Sequence, residues 1–299
     1  MVTPLTPRGK LDEPAVERLV DFLWQGGVHG VFVLGTTGEG PSVPREIRDR
    51  LVSLVASYAG DRLLVYANVS EEMVRKSAEA GNRYFEMGVD AVVAHAPARY
   101  ERQPEQSVRY FTELAQQLTG ELIMYNMPLT TSVSLPLEVC REIASKPRVV
   151  GIKDSENNAE RHEALLQRVG GLTSFSVFVG TAPLMASGLL RGARGIVPSV
   201  GNIAPGLCRE LYDRASRGDK EGTEALNRRF LELAQVYQRG RTLGQSLAAL
   251  KGAMAYLGLC GPDVFPPLKP VSAAQRKELG AELSRLGLSA LNSRPAAVC

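Results

Sequence analysis

The feature that most constrains the fold of this chain is a regular succession of short apolar runs, separated by stretches with helical periodicity. Each run is rich in Val, Ile, Leu or Phe, and none alternates cleanly with polar residues, which is the pattern of parallel strands buried on both faces. Eight runs of this kind predict an α/β protein, a (β/α)8 TIM barrel rather than an open sheet. The predicted strands are Val2–Leu5, Gly30–Leu34, Leu63–Ala67, Ala91–His95, Leu122–Tyr125, Val149–Ile152, Phe175–Val179 and Gly195–Pro198.

The apolar runs cease at Ala204, and only helical periodicity continues beyond it. No Ser/Gly-rich linker separates the two parts of the chain, so we expect the second part to pack on the first. The sequence therefore predicts a barrel over residues 1–203 and a C-terminal helical region over residues 204–299. The predicted helices of this region are Pro205–Arg217, Lys220–Tyr237, Leu243–Tyr256 and Ala273–Leu286.

Composition excludes several classes of function. The chain has 299 residues, of which 44% are hydrophobic and 22% charged, and its net charge of +3 is too small to indicate nucleic acid as a partner. No apolar run approaches the roughly 18 residues of a membrane span, so no membrane partner is expected. The histidines are scattered, which predicts no metal site. They are His29, His95 and His162.

Cysteine usage indicates a reducing compartment. The four cysteines are widely spaced and form no CxxC pair, so we expect free thiols and a cytoplasmic protein. They are Cys140, Cys208, Cys260 and Cys299.

Lys153 is the lysine whose sequence context is unusual. Of the eight lysines, it alone directly follows a predicted buried strand, Val149–Ile152. Burial in general favours the neutral amine of a lysine, and a neutral amine can attack a ketone to form a Schiff base. The structural alternative is a lysine that reaches the rim of the barrel.

Two further features follow predicted strands, where the active sites of barrels lie. Thr36 and Thr37 stand between glycines before a helix, so backbone N–H groups and hydroxyls could hold a small carboxylate. Tyr125 ends another strand, and its phenol could transfer protons beside an iminium. The alternatives are an ordinary turn for the threonines and a core aromatic for the tyrosine.

Four motifs in one order carry a resemblance that covers nearly the whole chain. They are Gly35-Thr36-Thr37-Gly38-Glu39, Tyr125-Asn126-Met127-Pro128, Gly151-Ile152-Lys153-Asp154 and Gly195-Ile196-Val197. Together they resemble the dihydrodipicolinate synthase / N-acetylneuraminate lyase family of class I pyruvate aldolases. The resemblance implies a lyase without an external cofactor, usually a homotetramer built as a dimer of dimers.

The resemblance also implies roles for individual residues. Lys153 would form the Schiff base with pyruvate, and Tyr125 would shuttle protons. Thr36, Thr37 and Gly38 would bind the pyruvate carboxylate, with Thr37 counted among the catalytic residues. The backbone around Val197 would face the bound pyruvate.

The first departure from the family pattern concerns the second substrate. In the synthase branch, Tyr-Asn-x-Pro is followed by a serine and then a carboxylate-binding arginine, whereas this chain has Leu129 and Thr130. Because a neutral hydroxyl replaces a two-pronged cation, a carboxylate-bearing aldehyde should bind poorly. The segments around Thr130 and Gly40-Pro41-Ser42 look more like those of sugar-acid aldolases.

The second departure lies after Pro97, where the family usually has two aromatic residues that serve an intersubunit proton relay. Here Ala98 and Arg99 come first, followed by Tyr100. Tyr100 could fill the relay one residue late, and Arg99 could contact an anionic substrate or could be a solvated loop residue.

The leading hypothesis is a Schiff-base lyase or aldolase that joins or releases pyruvate and an aldehyde, acting on a 2-keto-3-deoxy sugar acid or a similar 2-keto acid. The alternatives are a dihydrodipicolinate synthase, a sugar-acid dehydratase that uses the same iminium, a non-catalytic keto-acid sensor and a phosphosugar isomerase. The isomerase would need a carboxylate base at a strand end, where Glu39 is the only clear acid; we assign Glu39 to holding the threonine loop.

Overall fold

The computed structural model describes residues 1–100 and 103–290. Within these residues it has seven strands: β1 (Gly30–Val33), β2 (Leu64–Asn68), β3 (Ala91–Ala94), β4 (Glu121–Asn126), β5 (Val149–Asp154), β6 (Ser176–Val179) and β7 (Gly195–Ile196). Twelve α-helices accompany these strands in the described part of the chain: α1 (Glu13–Gln25), α2 (Arg45–Ala59), α3 (Val74–Glu86), α4 (Pro104–Gln117), α5 (Pro128–Thr131), α6 (Leu137–Ala144), α7 (Ala159–Val169), α8 (Met185–Leu190), α9 (Pro205–Ser216), α10 (Lys220–Gln238), α11 (Leu243–Tyr256) and α12 (Ala273–Arg285).

The first predicted strand, Val2–Leu5, is not a strand in the structure. Val2 and Leu5 are each only 1% exposed, so the run is buried as predicted. However, its one β-bridge within the described residues is antiparallel and joins Leu5 to Leu11, and the Val2 N–H donates to a side chain, Asn202 Oδ1, at 3.0 Å. A run of apolar residues indicates burial only. A buried extended segment that forms no strand-to-strand hydrogen bonds has the same apolar pattern as a strand.

The chain divides into two compact units. Unit 1 comprises Met1–Leu63, Ser199–Arg209 and Leu226–Cys299, and unit 2 comprises Leu64–Pro198 and Glu210–Ala225. The boundary predicted between residues 203 and 204 stays a prediction, as does the closed eight-stranded barrel. Residues 291–299 of the predicted helical region lie outside the described residues.

Unit 2 contains a parallel sheet in which β2 to β7 pair in chain order. Strand β3 is buried at every position and β5 at all but one, as expected for parallel strands covered on both faces. Gly151 allows close packing of β5 on β6, because a Cβ there would lie 2.7 Å from the Ser176 carbonyl oxygen. The α/β class predicted from the apolar runs is therefore confirmed.

Unit 1 contains β1 and most of the C-terminal helices. Helix α1 begins where the Asp12 side chain accepts a hydrogen bond from the Ala15 N–H, and its apolar stripe from Ala15 to Leu23 is buried. Helix α11 is buried from Ala248 to Met254 without interruption, which identifies it as a core helix. A capping box at Thr242 fixes its first turn.

Three of the four cysteines lie in the described residues, and all three are buried free thiols, as predicted. Burial raises the pKa of each of these thiols to about 12, so they are poor nucleophiles. They are Cys140, Cys208 and Cys260. The prediction for Cys299 falls outside the described residues.

Candidate active site

Lys153 lies inside strand β5, one residue before its end, and pairs in register with Tyr125 of β4 and Phe178 of β6. The residue is buried, with 9% of its surface exposed. Side chains alternate between the faces of a strand, so Lys153 shares its face with Gly151. The buried strand lysine predicted from the sequence is therefore present in the structure.

The structure brings Lys153 and Tyr125 together. The Lys153 Nζ lies 4.3 Å from the centroid of the Tyr125 ring, and Tyr125 is 4% exposed. A ring at this distance restricts the positions that the flexible amine can occupy. The geometry therefore places an amine and a phenol in one buried place, as an amine-dependent reaction with proton transfer requires.

Gly180 and Ser155 shape the space around the lysine. A Cβ at Gly180 would lie 2.0 Å from Ser155 Oγ and 2.8 Å from Lys153 Cε, so a side chain at position 180 would displace both groups. The Ser155 hydroxyl oxygen is buried and has no hydrogen-bond partner among the described residues. Such a hydroxyl can bond to a polar group of a bound molecule. Sequence reasoning did not assign a role to either residue, because their proximity depends on the pairing of β5 with β6.

A polar network lies on the opposite face of the same two strands. Asn126 and Asp154 pair in register, one residue beyond Tyr125 and Lys153. The Asn126 amide donates to Asp154 Oδ1 at 2.8 Å, and its own oxygen accepts from the Leu135 N–H at 3.1 Å. This network joins the ends of β4 and β5 directly beside the lysine and the tyrosine.

The Asp154 carboxylate is 1% exposed and is held ionised. Burial by itself would raise its pKa, but contacts with His162, Asn126 and the Glu156 N–H outweigh burial and lower that pKa below its ordinary value. The Glu156 N–H donates to Oδ1 at 3.1 Å, whereas His162 Nδ1 lies 3.9 Å from Oδ2, too far for a direct hydrogen bond. These contacts therefore favour the charged form of Asp154.

This network predicts a loss of stability in acid. Because the pKa of Asp154 is lower in the folded protein than in the unfolded chain, its contribution is complete above the ordinary pKa of 3.8 and disappears as pH falls through the folded value. We expect Asp154→Asn to lower the free energy of unfolding by about 2 kcal/mol at pH 7 and by less at pH 3. Urea unfolding between pH 7 and pH 3 measures the difference. The exposed Asp61→Asn is the control, and a pH-independent deficit in Asp154→Asn would contradict the expectation.

The threonine loop of unit 1, Gly35–Gly40, is closed by its own backbone. The N–H groups of Gly38 and Gly40 both donate to the Gly35 carbonyl, at 3.0 and 3.2 Å, and the Glu39 N–H donates to the Thr36 carbonyl at 3.1 Å. Gly40 must be glycine, because a Cβ there would lie 1.8 Å from the Leu34 carbonyl oxygen. Thr36 and Thr37 are half-buried within this loop.

The helix that the sequence predicts after the threonine loop is present in the structure as α2. The loop is followed by a three-residue 3-10 helix over Gly40–Ser42, and α2 begins only at Arg45. A helix dipole acts mainly within its first turn. Any anion held at Thr36 and Thr37 would therefore depend on the donors of the loop itself.

Lys251 is a second buried lysine, to which the sequence analysis assigned no role. Lys251 of α11 is 1% exposed, and its Nζ lies 2.6 Å from Glu39 Oε1. The signal in the sequence was the apolar surroundings of Lys251, which stands between Ala248-Ala249-Leu250 and Gly252-Ala253-Met254.

Thr130 and Val197, two further candidates for the substrate pocket, lie in different elements of unit 2. Thr130 is exposed on the four-residue helix α5, and its hydroxyl donates to the Met127 carbonyl at 3.3 Å. Val197 follows β7, and its N–H donates to the Val179 carbonyl at 2.9 Å. The Val179 carbonyl occupies that N–H, so it is not available to a ligand.

Arg99 and Tyr100 lie together in a short 3-10 helix after β3. The Arg99 side chain is exposed, forms an ion pair with Glu72 at 3.3 Å and donates to the Glu72 carbonyl. Its guanidinium also lies 5.2 Å from the centroid of the Tyr100 ring. These contacts favour the solvated loop arginine over the anion contact among the alternatives drawn from the sequence.

No cluster of three or more His, Cys, Asp or Glu side chains suited to a metal ion occurs among the described residues. No helix within residues 1–100 and 103–290 is long and apolar enough to cross a membrane.

The chain is similar to known proteins over most of its length. A family model described as the dihydrodipicolinate synthetase family matches residues 1–286. A 4-hydroxy-tetrahydrodipicolinate synthase of Staphylococcus carnosus is 27% identical over 279 residues, which are 93% of this chain and 92% of the relative. An uncharacterized DapA-like lyase of Halobacterium salinarum is 30% identical over 291 residues, which are 96% of this chain and 92% of that protein.

Solved structures show the same fold over nearly the full length. A dihydrodipicolinate synthase from Bacteroides thetaiotaomicron superposes with a TM-score of 0.91 at 31% identity and covers 95% of this chain and 96% of its own. The Escherichia coli prophage protein YagE, solved in complex with pyruvate, has a TM-score of 0.89 at 25% identity, with 96% of both chains covered.

Proposed function

Because the chain belongs to the dihydrodipicolinate synthetase family, we propose that it is a Schiff-base lyase that joins pyruvate to an aldehyde or releases pyruvate from the joined product. The observation that carries the proposal is the buried amine of Lys153 against the ring of Tyr125, with Nζ 4.3 Å from the ring centroid. The relatives named as lyases or synthases support the class of reaction. Pyruvate bound to the similar protein YagE supports pyruvate as the ketone.

In the proposed reaction the neutral amine of Lys153 attacks the keto carbon of pyruvate, and the ketone oxygen leaves as water to give an iminium. Tyr125 transfers the protons that these two steps require, to the departing oxygen and from the nitrogen. Loss of a proton from the methyl carbon then gives an enamine. The enamine carbon attacks the aldehyde carbon and forms the new carbon–carbon bond, while the aldehyde oxygen takes up a proton to become a hydroxyl and the nitrogen returns to an iminium. Hydrolysis of the iminium releases the product and restores the lysine, and the same steps reversed cleave a 2-keto acid. The iminium itself accepts the electron pair, so the proposal needs no cofactor.

Thr36, Thr37 and Gly38 are proposed to bind the pyruvate carboxylate, and the role of Thr37 includes orienting the ketone for attack. Family membership supports this assignment, and so does the rigid backbone of the loop that carries the three residues. The same membership supports the predicted (β/α)8 barrel and the predicted homotetramer. Tyr100 remains the candidate for a relay between subunits.

We propose a hydroxylated aldehyde, and hence a 2-keto-3-deoxy sugar acid, as the second substrate. Thr130 offers a neutral hydroxyl where the synthase pattern has an arginine, and the unpartnered Ser155 Oγ lies beside Lys153. The runner-up is dihydrodipicolinate synthase, which the names of many relatives favour. The dehydratase shares the iminium, and the sensor would bind the keto acid without turnover.

A panel of aldehydes tests this choice. Purified protein is incubated with pyruvate and, separately, glyceraldehyde, N-acetylmannosamine or aspartate semialdehyde, and product formation is followed by mass spectrometry. The proposal predicts the highest kcat/KM with a hydroxylated aldehyde. The highest value with aspartate semialdehyde would establish the synthase instead. In a separate incubation with a 2-keto-3-deoxy acid alone, release of water with no aldehyde formed would establish the dehydratase.

Thr130→Arg is expected to raise kcat/KM for aspartate semialdehyde by about 10-fold or more, because a charge-assisted hydrogen bond to the substrate carboxylate contributes about 1.5 to 3 kcal/mol. The fold should tolerate the change, since Thr130 is exposed. Steady-state kinetics with aspartate semialdehyde measures the effect. Leu129→Arg, which adds the same charge at the exposed neighbouring residue, is the control. An equal gain in both variants, or none in either, would contradict the argument about residue 130.

A further inference from the structure

The buried ion pair of unit 1 is the strongest feature that the proposed reaction does not use. The Lys251 Nζ lies 2.6 Å from Glu39 Oε1, and the two side chains are 1% and 2% exposed. The same Nζ donates to the Asp263 carbonyl oxygen at 2.7 Å. Two oxygen acceptors, the Glu39 carboxylate and the Asp263 carbonyl, occupy this buried amine, so Lys251 is poorly placed to attack a ketone.

The Glu39 carboxylate uses both of its oxygens. Oε1 contacts Lys251, and Oε2 accepts a hydrogen bond from the Phe265 N–H at 2.7 Å. One carboxylate thus joins the threonine loop to helix α11 and to the chain segment around residues 263–265. Glu39 is also a non-glycine residue in the left-handed region, with φ of 56°. This costs about 1 kcal/mol and persists only where the surroundings impose it.

The contacts of Glu39 fix the backbone next to Thr36 and Thr37. The Glu39 N–H closes the turn by donating to the Thr36 carbonyl at 3.1 Å. The Thr3 hydroxyl also donates to the Gly38 carbonyl at 2.6 Å. The two residues that directly follow the threonines are therefore held by buried contacts, among them the ion pair of Glu39 with Lys251.

Buried ion pairs are poor contributors to net stability, because desolvation offsets their attraction. An apolar pair of similar volume would stabilise the fold as well. The directional contacts of a carboxylate, in contrast, fix the position of its backbone. A loop that binds a small anion through N–H groups and hydroxyls needs such a fixed backbone.

We propose that Lys251 is a positioning residue, which acts through Glu39 to hold the Thr36–Thr37 loop in the conformation that binds the pyruvate carboxylate. This inference rests on the proposed function. It gives the two buried lysines different tasks: Lys153 reacts with the keto carbon, and Lys251 orders the loop that binds the carboxylate.

The double variant Glu39→Gln/Lys251→Met tests the inference, because it removes both charges and leaves neither one buried alone. Initial rates give KM for pyruvate and kcat at saturating pyruvate. We expect KM to rise about 10-fold or more while kcat changes by less than about 3-fold, the pattern for lost substrate binding. Met254→Leu, a volume-conserving change on the buried face of the same helix, is the control and should leave KM unchanged.

A second readout separates positioning from a general loss of structure. Borohydride traps the iminium of pyruvate and also that of acetone, which lacks a carboxylate. The double variant should need about 10-fold more pyruvate for half-maximal trapping, while its trapping of acetone stays as in the wild type. A folded double variant with unchanged pyruvate dependence, or with equal losses for pyruvate and acetone, would overturn the inference. If the double variant does not fold, Glu39→Gln alone, which is isosteric and loses the charge, is measured in the same way.

Trapping with the wild-type protein separates failure of the proposed function from failure of the positioning role. If the wild type traps neither pyruvate nor acetone on Lys153, the proposed function fails. If it traps both and the variants behave like the wild type, the proposed function stands and only the positioning role fails.

Discussion

Lys153→Ala is expected to abolish turnover, with kcat lowered at least about a thousandfold, because it removes the amine that forms the iminium. Lys251 cannot substitute, since its amine is held by Glu39 and by the Asp263 carbonyl. The fold should persist, because the substitution removes a side chain from the end of a strand and leaves the ladder of β5 intact. Steady-state rates with pyruvate and the best aldehyde, together with the thermal unfolding midpoint, measure both expectations.

The matched control is Lys10→Ala, which removes an exposed lysine and should leave kcat and the unfolding midpoint unchanged. A Lys153→Ala enzyme with a normal rate would contradict a Schiff-base mechanism at Lys153. A folded but inactive Lys153→Ala enzyme that still binds pyruvate with wild-type affinity would confine the loss to chemistry.

Tyr125→Phe is expected to lower kcat by about 100- to 1,000-fold, the usual range for loss of a positioned proton donor or acceptor. The phenylalanine keeps the ring that lies 4.3 Å from the Lys153 amine, so the position of the lysine should not change. Iminium formation should become slow rather than impossible. Single-turnover trapping with borohydride is therefore expected to show a reduced rate and an unchanged final yield.

Tyr110→Phe is the control for this variant. Tyr110 is also buried, and its hydroxyl lies 3.0 Å from Ser77 Oγ, so the substitution removes a buried hydroxyl outside the proposed reaction. It should lower stability by about 1 kcal/mol and leave kcat unchanged. Equal losses of kcat in the two variants would indicate that structural damage, not proton transfer, explains the effect at Tyr125.

Much of the fold could be predicted because parallel strands have a simple signature. Seven of the eight predicted runs overlap strands in the described part of the chain, and helix α11 has the predicted bounds, Leu243–Tyr256. The run Val2–Leu5 failed because its residues are buried without joining a ladder; its bridge from Leu5 goes to Leu11 instead. Apolar patterning measures burial, and it cannot report which backbone groups are bonded to which.

The candidate site could be predicted only in part, since sequence order reveals strand ends but not side-chain contacts. The position of Lys153 and its register with Tyr125 follow from two adjacent strands of the parallel sheet. The spatial pairing of Gly180 with Ser155 and of Lys251 with Glu39 joins residues that are distant in sequence. Lys251 was missed for a further reason: a lysine in a helix is usually exposed, and only its apolar neighbours in α11 indicated that it is buried.

The central claim of the account is that Lys153 forms an iminium with pyruvate, and borohydride trapping followed by peptide mass analysis tests it most directly. The account predicts an adduct with the mass of reduced pyruvate on the peptide that carries Lys153, with none on the peptide that carries Lys251. An adduct confined to Lys251, or no adduct in a folded sample, would contradict it. The second result would favour a protein that binds keto acids without turnover.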